Sequence, residues 1–421
     1  MTQFTARADR RLIRPNARSH RFVLAEITAP PAAELRERAP VNLAFVLDRS
    51  GSMSGGKLEI AKQAVAEAIG RLDARDRFSI VVYDDVIDLV IESTPASPEA
   101  RRNAMGRLAS VDARGSTNLS DGWLRGCEQV ATHLGGGVDR VLLLTDGLAN
   151  KGITDATELT HHAAELRARG VSTTTFGVGS DFDEALLQSM ADAGGGHFYY
   201  IADSAQIRDH IASEVGETLE VVARDVELEI LAGEGVSVET ISPQPLTARG
   251  ARSIVSLGDL VADQVLDVVL RLTFPYGQLG RETGIILGLS DRDGVFAAAG
   301  IGDARLSWAW ADDRANDAQV RDVEVDRAVA RQFAARAMQE AVRWNRSGDY
   351  LHARRVIEAT AGRIRKYAGH DPELRAIVHE LDGEVGRFTA PMAPAMLKQA
   401  YYASANVAHS RDVSGKSRKV R

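Results

Sequence analysis

Between residues 41 and 219, short and almost wholly apolar runs alternate with longer segments whose apolar residues recur at helical intervals. This alternation leaves few folds open. The apolar runs fall at residues 41–48, 77–83, 86–91, 138–146, 171–178 and 197–201. The spacing predicts helices over 57–72, 98–108, 119–134, 155–169, 183–193 and 204–218, several of them with good starts such as Ser97-Pro98-Glu99, and Asp181 or Asp183. A strand that is apolar at nearly every position has both faces covered. Such strands separated by helices form a mostly parallel, doubly wound α/β sheet. Ligands of these sheets gather outside the carboxyl ends of the strands, so residues there carry the functional information.

The flanks read differently. Phe22-Val23-Leu24-Ala25-Glu26-Ile27 is a strand pattern ending at Pro30-Pro31. After Leu219, short runs at 226–230, 236–241, 253–257, 265–274, 285–289 and 305–310 are separated by turn-rich segments. That rhythm predicts an antiparallel β-sandwich. The N-terminal strands have no core of their own, so they are expected to join the sandwich, with the α/β domain inserted in it. From Ala318 the pattern is helical, with a break at Gly348-Asp349. The expected organisation is N-terminal strands over 1–36, the α/β domain over 37–219, the β-sandwich over 220–312 and a C-terminal helical region over 313–388. The Pro-, Ser- and Ala-rich residues 389–421, with their basic ending, are expected to form a loosely ordered tail.

Three segments of the α/β region carry the chemistry. Asp48-Arg49-Ser50-Gly51-Ser52 closes the first apolar run. Gly115-Ser116-Thr117-Asn118 offers a hydroxyl in a glycine-bearing loop, and Leu144-Thr145-Asp146-Gly147 ends a second strand on a carboxylate. If Asp48, Ser50, Ser52, Thr117 and Asp146 converge, two carboxylates and three hydroxyls surround one point. An all-oxygen set of this kind suits a hard dication such as Mg²⁺, with Mn²⁺ or Ca²⁺ as alternatives. Two carboxylates balance its charge, and an open position would take an acidic oxygen from a partner.

The D-x-S-x-S run, the Gly-Ser-Thr-Asn loop and the Leu-Thr-Asp-Gly strand end together resemble the metal-ion-dependent adhesion site of a von Willebrand factor A (VWA) domain. Val178-Gly179-Ser180-Asp181-Phe182-Asp183 and Gly194-Gly195-Gly196-His197-Phe198-Tyr199 are similar to the closing segment of bacterial members. The resemblance covers about residues 41–219 and implies a Rossmann-like fold with Asp48, Ser50, Ser52, Thr117 and Asp146 as metal ligands. It implies a protein-binding module rather than an enzyme, whose protein ligand supplies an Asp or Glu carboxylate. The overall layout resembles bacterial VWA proteins related to inter-alpha-trypsin inhibitor heavy chains. Other VWA proteins serve AAA+ ATPases or metal-chelatase complexes, which makes an accessory subunit an alternative.

Two rival readings come from the same residues. Gly51-Ser52-Met53-Ser54-Gly55-Gly56-Lys57-Leu58 nearly matches the phosphate-binding P-loop between a strand and a helix, as in a nucleotide hydrolase. Leu58 stands where a hydroxyl is needed, and Thr117 is left without a role. A serine hydrolase built on Ser50 or Ser52 needs a base in reach, and no G-x-S-x-G elbow surrounds either residue. Asp84-Asp85 reads as a hairpin turn and Asn118 as either a helix cap or a support for the site.

Composition narrows the partners. A net charge of −7 argues against nucleic acid. Cys127 is the single cysteine, which excludes an intramolecular disulfide and a cysteine cluster for zinc or iron–sulfur. No run approaches the length of a membrane helix and the first 21 residues lack an apolar signal core, so a cytoplasmic protein is expected.

Overall fold

The structure, a computed structural model, describes residues 2–32 and 38–420. In chain order it begins with β1 (Gln3–Ala8), β2 (Leu12–Ile13) and β3 (Ser19–Thr28). There follow β4 (Val41–Asp48), α1 (Lys57–Gly70), β5 (Arg77–Tyr83), β6 (Ile87–Pro95), α2 (Pro98–Ala109), α3 (Leu119–Ala131), β7 (Val138–Thr145) and α4 (Ala156–Ala168). Next come β8 (Ser172–Val178), α5 (Glu184–Ala193), β9 (Gly195–Ile201) and α6 (Ile207–Leu219). The remaining strands are β10 (Val221–Ala232), β11 (Ser237–Thr240), β12 (Leu246–Arg249), β13 (Arg252–Val261), β14 (Val265–Phe274), β15 (Glu282–Ser290) and, after the short α7 (Val295–Ala298), β16 (Ala304–Trp310). Helices α8 (Asp313–Ala318), α9 (Val323–Arg346), α10 (Tyr350–Ala368), α11 (Pro372–Val385) and α12 (Pro394–Ala408) complete the chain. These elements divide into two compact units, one of residues 2–32 with 222–420, the other of residues 38–221.

The central unit is a six-stranded sheet in the order β6-β5-β4-β7-β8-β9. All neighbours are parallel except the hairpin partner β6. Every residue of β4 and β7 is buried, the apolar runs Leu43–Leu47 and Val141–Leu144 together with the polar Asn42, Asp48, Asp139, Arg140 and Thr145. The chain runs from β4 outward to β5 on one side and later crosses to β7 on the other. β4 and β7 therefore flank the point where the winding reverses, and their carboxyl ends open into the crevice that such a reversal creates. Helix starts follow their sequence signals: Ser97 caps α2 ahead of Pro98, and the Asp183 carboxylate accepts from the Ala185 and Leu186 amides. Cys127 is buried on α3, and its burial pushes the thiol far above its ordinary range.

At the amino ends of these strands a buried charge is fully partnered. Glu214 accepts from Arg140 at 2.7 Å, from Thr174 at 2.8 Å and from the Tyr199 hydroxyl at 2.8 Å, with His197 Nδ1 at 3.1 Å. His197, Glu214 and Glu217 are near enough to suggest a metal. The Arg140 guanidinium already supplies the counter-charge that an ion would bring.

In the other unit, β1 and β3 pair with β14 and β11 in one antiparallel sheet. The second sheet has the order β12-β13-β10-β15-β16-β2, with β12–β13, β10–β15 and β15–β16 antiparallel and the short β2 parallel to β16. The sheets face each other, with Phe274 of β14 and Trp308 of β16 at 5.0 Å between ring centroids. The N-terminal strands thus belong to the sandwich, and the α/β unit interrupts it in sequence. Helix α9 lays Val325, Ala328 and Val329 on Leu24 and Val269, with Phe22 edge-on to Phe333.

The expected loose tail is corrected by the structure. Residues 394–408 are helix α12, whose Leu397 enters a core with Val342 of α9 and Leu381 of α11. Beyond it the basic ending is tied down. The Val265 amide donates to the Arg418 carbonyl at 2.7 Å, the Arg418 guanidinium pairs with Asp267 at 2.7 Å, and Lys419 bridges to Gln264. The tail's composition misled because small residues, Ala405 and Ala408 among them, line the buried face of α12. Among the described residues no helix is long and apolar enough to cross a membrane.

Candidate metal centre

Asp48 is the last residue of β4, and its side chain is fully buried. Its Oδ1 accepts from the Ser50 amide at 2.7 Å and its Oδ2 from the Thr145 hydroxyl at 2.8 Å. Thr145 ends the adjacent strand β7, and Asp146 follows it. The Ser50 and Ser52 hydroxyls lie 3.0 Å apart, and Ser52 Oγ donates to Asp146 Oδ1 at 2.5 Å. Asp48, Ser50, Ser52, Thr145 and Asp146 thus join two neighbouring strand ends.

Thr117 reaches the same place from the loop before α3. Its amide donates to Asn150 Oδ1 at 3.1 Å and its carbonyl accepts from the Asn150 amide at 3.2 Å. This ties the loop to the chain beyond Asp146. A side chain starting at Gly147 would place its Cβ 3.2 Å from Thr117 Oγ1 and 3.9 Å from Ser52 Oγ. Glycine at 147 therefore lets the Thr117 loop approach the end of β7 closely. All five residues singled out in the sequence therefore converge. Asp48, Ser50, Thr117 and Asp146 are buried and Ser52 is exposed, so the cluster has one open side.

A second set of charges holds the loops. Arg49 pairs with Asp84 at 3.2 Å and with Asp88 at 2.5 Å, and Arg114 pairs with Asp84 at 2.8 Å. Burial alone would raise the Asp84 carboxyl, but the Val86 amide, Arg114 and Arg49 bring it below its ordinary value. Asp85 accepts from the Ser116 amide at 3.2 Å. Gly115 packs on this corner with φ +70°, and a Cβ there would collide with Asp85 Oδ1. The Asp84-Asp85 turn thus anchors the Thr117 loop. Asn118 is the N-cap of α3, its side chain accepting from the Asp121 amide.

The electrostatics concentrate on Asp48. Burial pushes its carboxyl up to about 6, against the hydrogen bonds from Ser50 and Thr145, and the neighbouring Asp146 adds to the rise. The hydrogen bonds to Asp48 thus do not offset its burial. One cation reaches the site: Lys57 Nζ donates to Asp146 Oδ2 at 2.6 Å and to the Ser52 carbonyl at 3.2 Å.

The family model for the von Willebrand factor type A domain matches residues 42–213. Those residues include β4, the Thr117 loop and the end of β7. Residues 42–213 are a VWA domain. The chain is 36% identical to the uncharacterized protein YfbK of Escherichia coli K12 over 193 residues, which cover 45% of this chain and 33% of that protein. Human inter-alpha-trypsin inhibitor heavy chain H4 is 30% identical over 164 residues, 37% of this chain and 18% of that protein. The chain thus matches a third or less of these two relatives. Among solved structures, the von Willebrand factor type A protein from Catenulispora acidiphila aligns with a TM-score of 0.68 at 17% identity, covering 100% of this chain and 97% of that one. That likeness extends the shared fold beyond the VWA domain to the sandwich and helices. VWA domains commonly serve as protein-binding modules, generally without catalysis.

Four residues that sequence reasoning did not assign to the site belong to its structure: Lys57, Thr145, Asn150 and Arg49. Thr145 and Arg49 sit inside motifs already singled out, so their position was the available signal. Lys57 stood out only as part of a P-loop look-alike. Asn150 gave no signal, being one polar residue in a polar loop.

Proposed function

We propose that Asp48, Ser50, Ser52, Thr117 and Asp146 hold a divalent cation, Mg²⁺ foremost, and that the protein is a metal-dependent protein-binding module rather than an enzyme. The reading rests on one observation: two buried carboxylates from adjacent strand ends and three hydroxyls gather at one crevice, with Thr117 Oγ1 and Ser52 Oγ both within 3.9 Å of where a Cβ at Gly147 would sit. The donor set fits a hard dication, since all five groups are oxygens and the two carboxylates neutralise two charges. Asp48 supports it further, because a carboxylate so deeply buried is stabilised by a cation beside it. Bound there, the metal would act as a Lewis acid for an Asp or Glu carboxylate that a partner presents through the open side at Ser52. The partner is thus a protein with an exposed acidic side chain.

The nucleotide reading is weakened by the loop itself. A phosphate cradle needs free backbone amides. Here the Gly51 amide donates to the Gly115 carbonyl, Met53 to Ser50 and Ser54 to Gly51. Leu58, where a hydroxyl would be needed, is buried. A serine hydrolase also lacks support, since the hydroxyl partners of Ser50 and Ser52 are each other and Asp146.

Titration calorimetry with Mg²⁺ and Mn²⁺ tests the assignment. Binding to the wild-type chain should disappear in Asp48→Ala and Asp146→Ala while their circular dichroism stays native. Undiminished binding by either variant would rule the site out.

A further inference from the structure

Lys57 lies outside the five-residue set, yet its ammonium enters the site. It contacts Asp146 Oδ2 at 2.6 Å and the Ser52 carbonyl at 3.2 Å. The Asp146 side chain has no exposed surface, whereas a third of the Lys57 side chain is exposed. Lys57 is also the first residue of α1. The positive end of the helix dipole disfavours a cation there. The helix therefore does not hold Lys57 in place; the carboxylate does. With a third of its side chain exposed, Lys57 borders solvent and can swing out into it.

We propose that Lys57 is a tethered cation that competes with the divalent metal for Asp146, and so sets the metal concentration at which the site fills. The inference rests on the metal-site reading above and adds a residue to it. A lysine suits the task. It carries one charge against the metal's two, on a flexible stem with three donors, so it neutralises Asp146 but yields to a stronger cation. The pairing also accounts for the Gly-Gly-Lys run that imitates a P-loop. Its lysine turns to a carboxylate of its own chain rather than to a phosphate.

Calorimetry on the full chain tests this with Mg²⁺ and Mn²⁺ as probes. Lys57→Gln and Lys57→Met should each bind metal about tenfold more tightly than wild type, the value of one charged hydrogen bond. Lys57→Arg, which keeps the charge, should stay within about threefold of wild type. In a second readout, acetylation of Lys57 by an N-hydroxysuccinimide ester, followed by mass spectrometry, should speed up when Mg²⁺ is added. Equal or weaker metal binding by both neutral variants, or acetylation indifferent to Mg²⁺, overturns the role of Lys57. Loss of binding in Asp48→Ala would then still uphold the metal site. If neither wild type nor the neutral variants bind metal, the site reading fails and this inference with it. Binding by the neutral variants alone would show the competition at its strongest.

Discussion

Asp48→Asn should make the metal-free protein more stable while destroying its metal binding. Burial holds the Asp48 carboxyl near 6 in the folded chain against 3.8 for its ordinary value. Below 3.8 both states are protonated and ionisation costs nothing. Between 3.8 and 6 the folded state keeps a proton that the unfolded state has lost, so stability falls as pH rises. Above 6 the cost is complete. A shift of roughly two units at about 1.36 kcal/mol each puts it at roughly 3 kcal/mol at pH 8, and the same titration leaves about 1 kcal/mol at pH 4.5. Asparagine removes the charge and keeps the shape. Its Oδ1 still accepts from the Ser50 amide, and its Nδ2 can donate to the Thr145 hydroxyl, which has the Gly147 carbonyl at 3.3 Å as an outlet for its own proton. Weaker hydrogen bonds return about 1 kcal/mol. The net gain should be about 2 kcal/mol at pH 8 and close to zero at pH 4.5. Hydrogen exchange of β4 and β7 amides in EDTA reports this unit directly. Adding Mg²⁺ should stabilise wild type and leave the variant unchanged. A variant less stable than wild type at pH 8, or a gap equal at both pH values, would refute the account of a buried charge awaiting a cation.

Two further outcomes follow from the packing around the sheet. Glu214→Gln should destabilise the VWA domain by about 3–5 kcal/mol, because it strips the counter-charge from the buried Arg140; urea unfolding with a loss under 1 kcal/mol would show that the pair is dispensable. Gly122→Ala should cost about 1–3 kcal/mol, since the new Cβ on α3 would lie 2.5 Å from the Tyr83 ring and lift the helix off β5; an unchanged melting temperature would contradict that close approach.

The doubly wound sheet was legible because its signal is local and repeated. The central strands β4 and β7 carry long apolar runs, and α2, α3, α4 and α5 each begin at a side-chain cap, so pattern and propensity agree over most of the stretch. Four of the five candidate ligands were legible for a related reason, since Asp48, Ser50, Ser52 and Asp146 lie at or just beyond the ends of buried strands; Thr117 stood out as a hydroxyl in a glycine-bearing loop. The N-terminal strands could be assigned to the sandwich by elimination, since a lone strand pair has no core. The final thirty residues were misread because composition stood in for periodicity. Alanine and serine suggest a tail, but Ala405 and Ala408 pack against other helices as small residues do wherever backbones approach closely.

The sequence by itself determined the order of strands and helices, the polar strand ends and the residues available to a cation, since each of these depends on neighbours a few positions away. Only the tertiary structure decided that Lys57 meets Asp146 across 89 residues, that Asn150 grips the Thr117 loop, and that Arg49 and Arg114 share Asp84. Those pairings depend on which strand ends lie side by side. Winding outward from β4 and then crossing to β7 brings distant loops to one crevice, and no local pattern encodes that proximity.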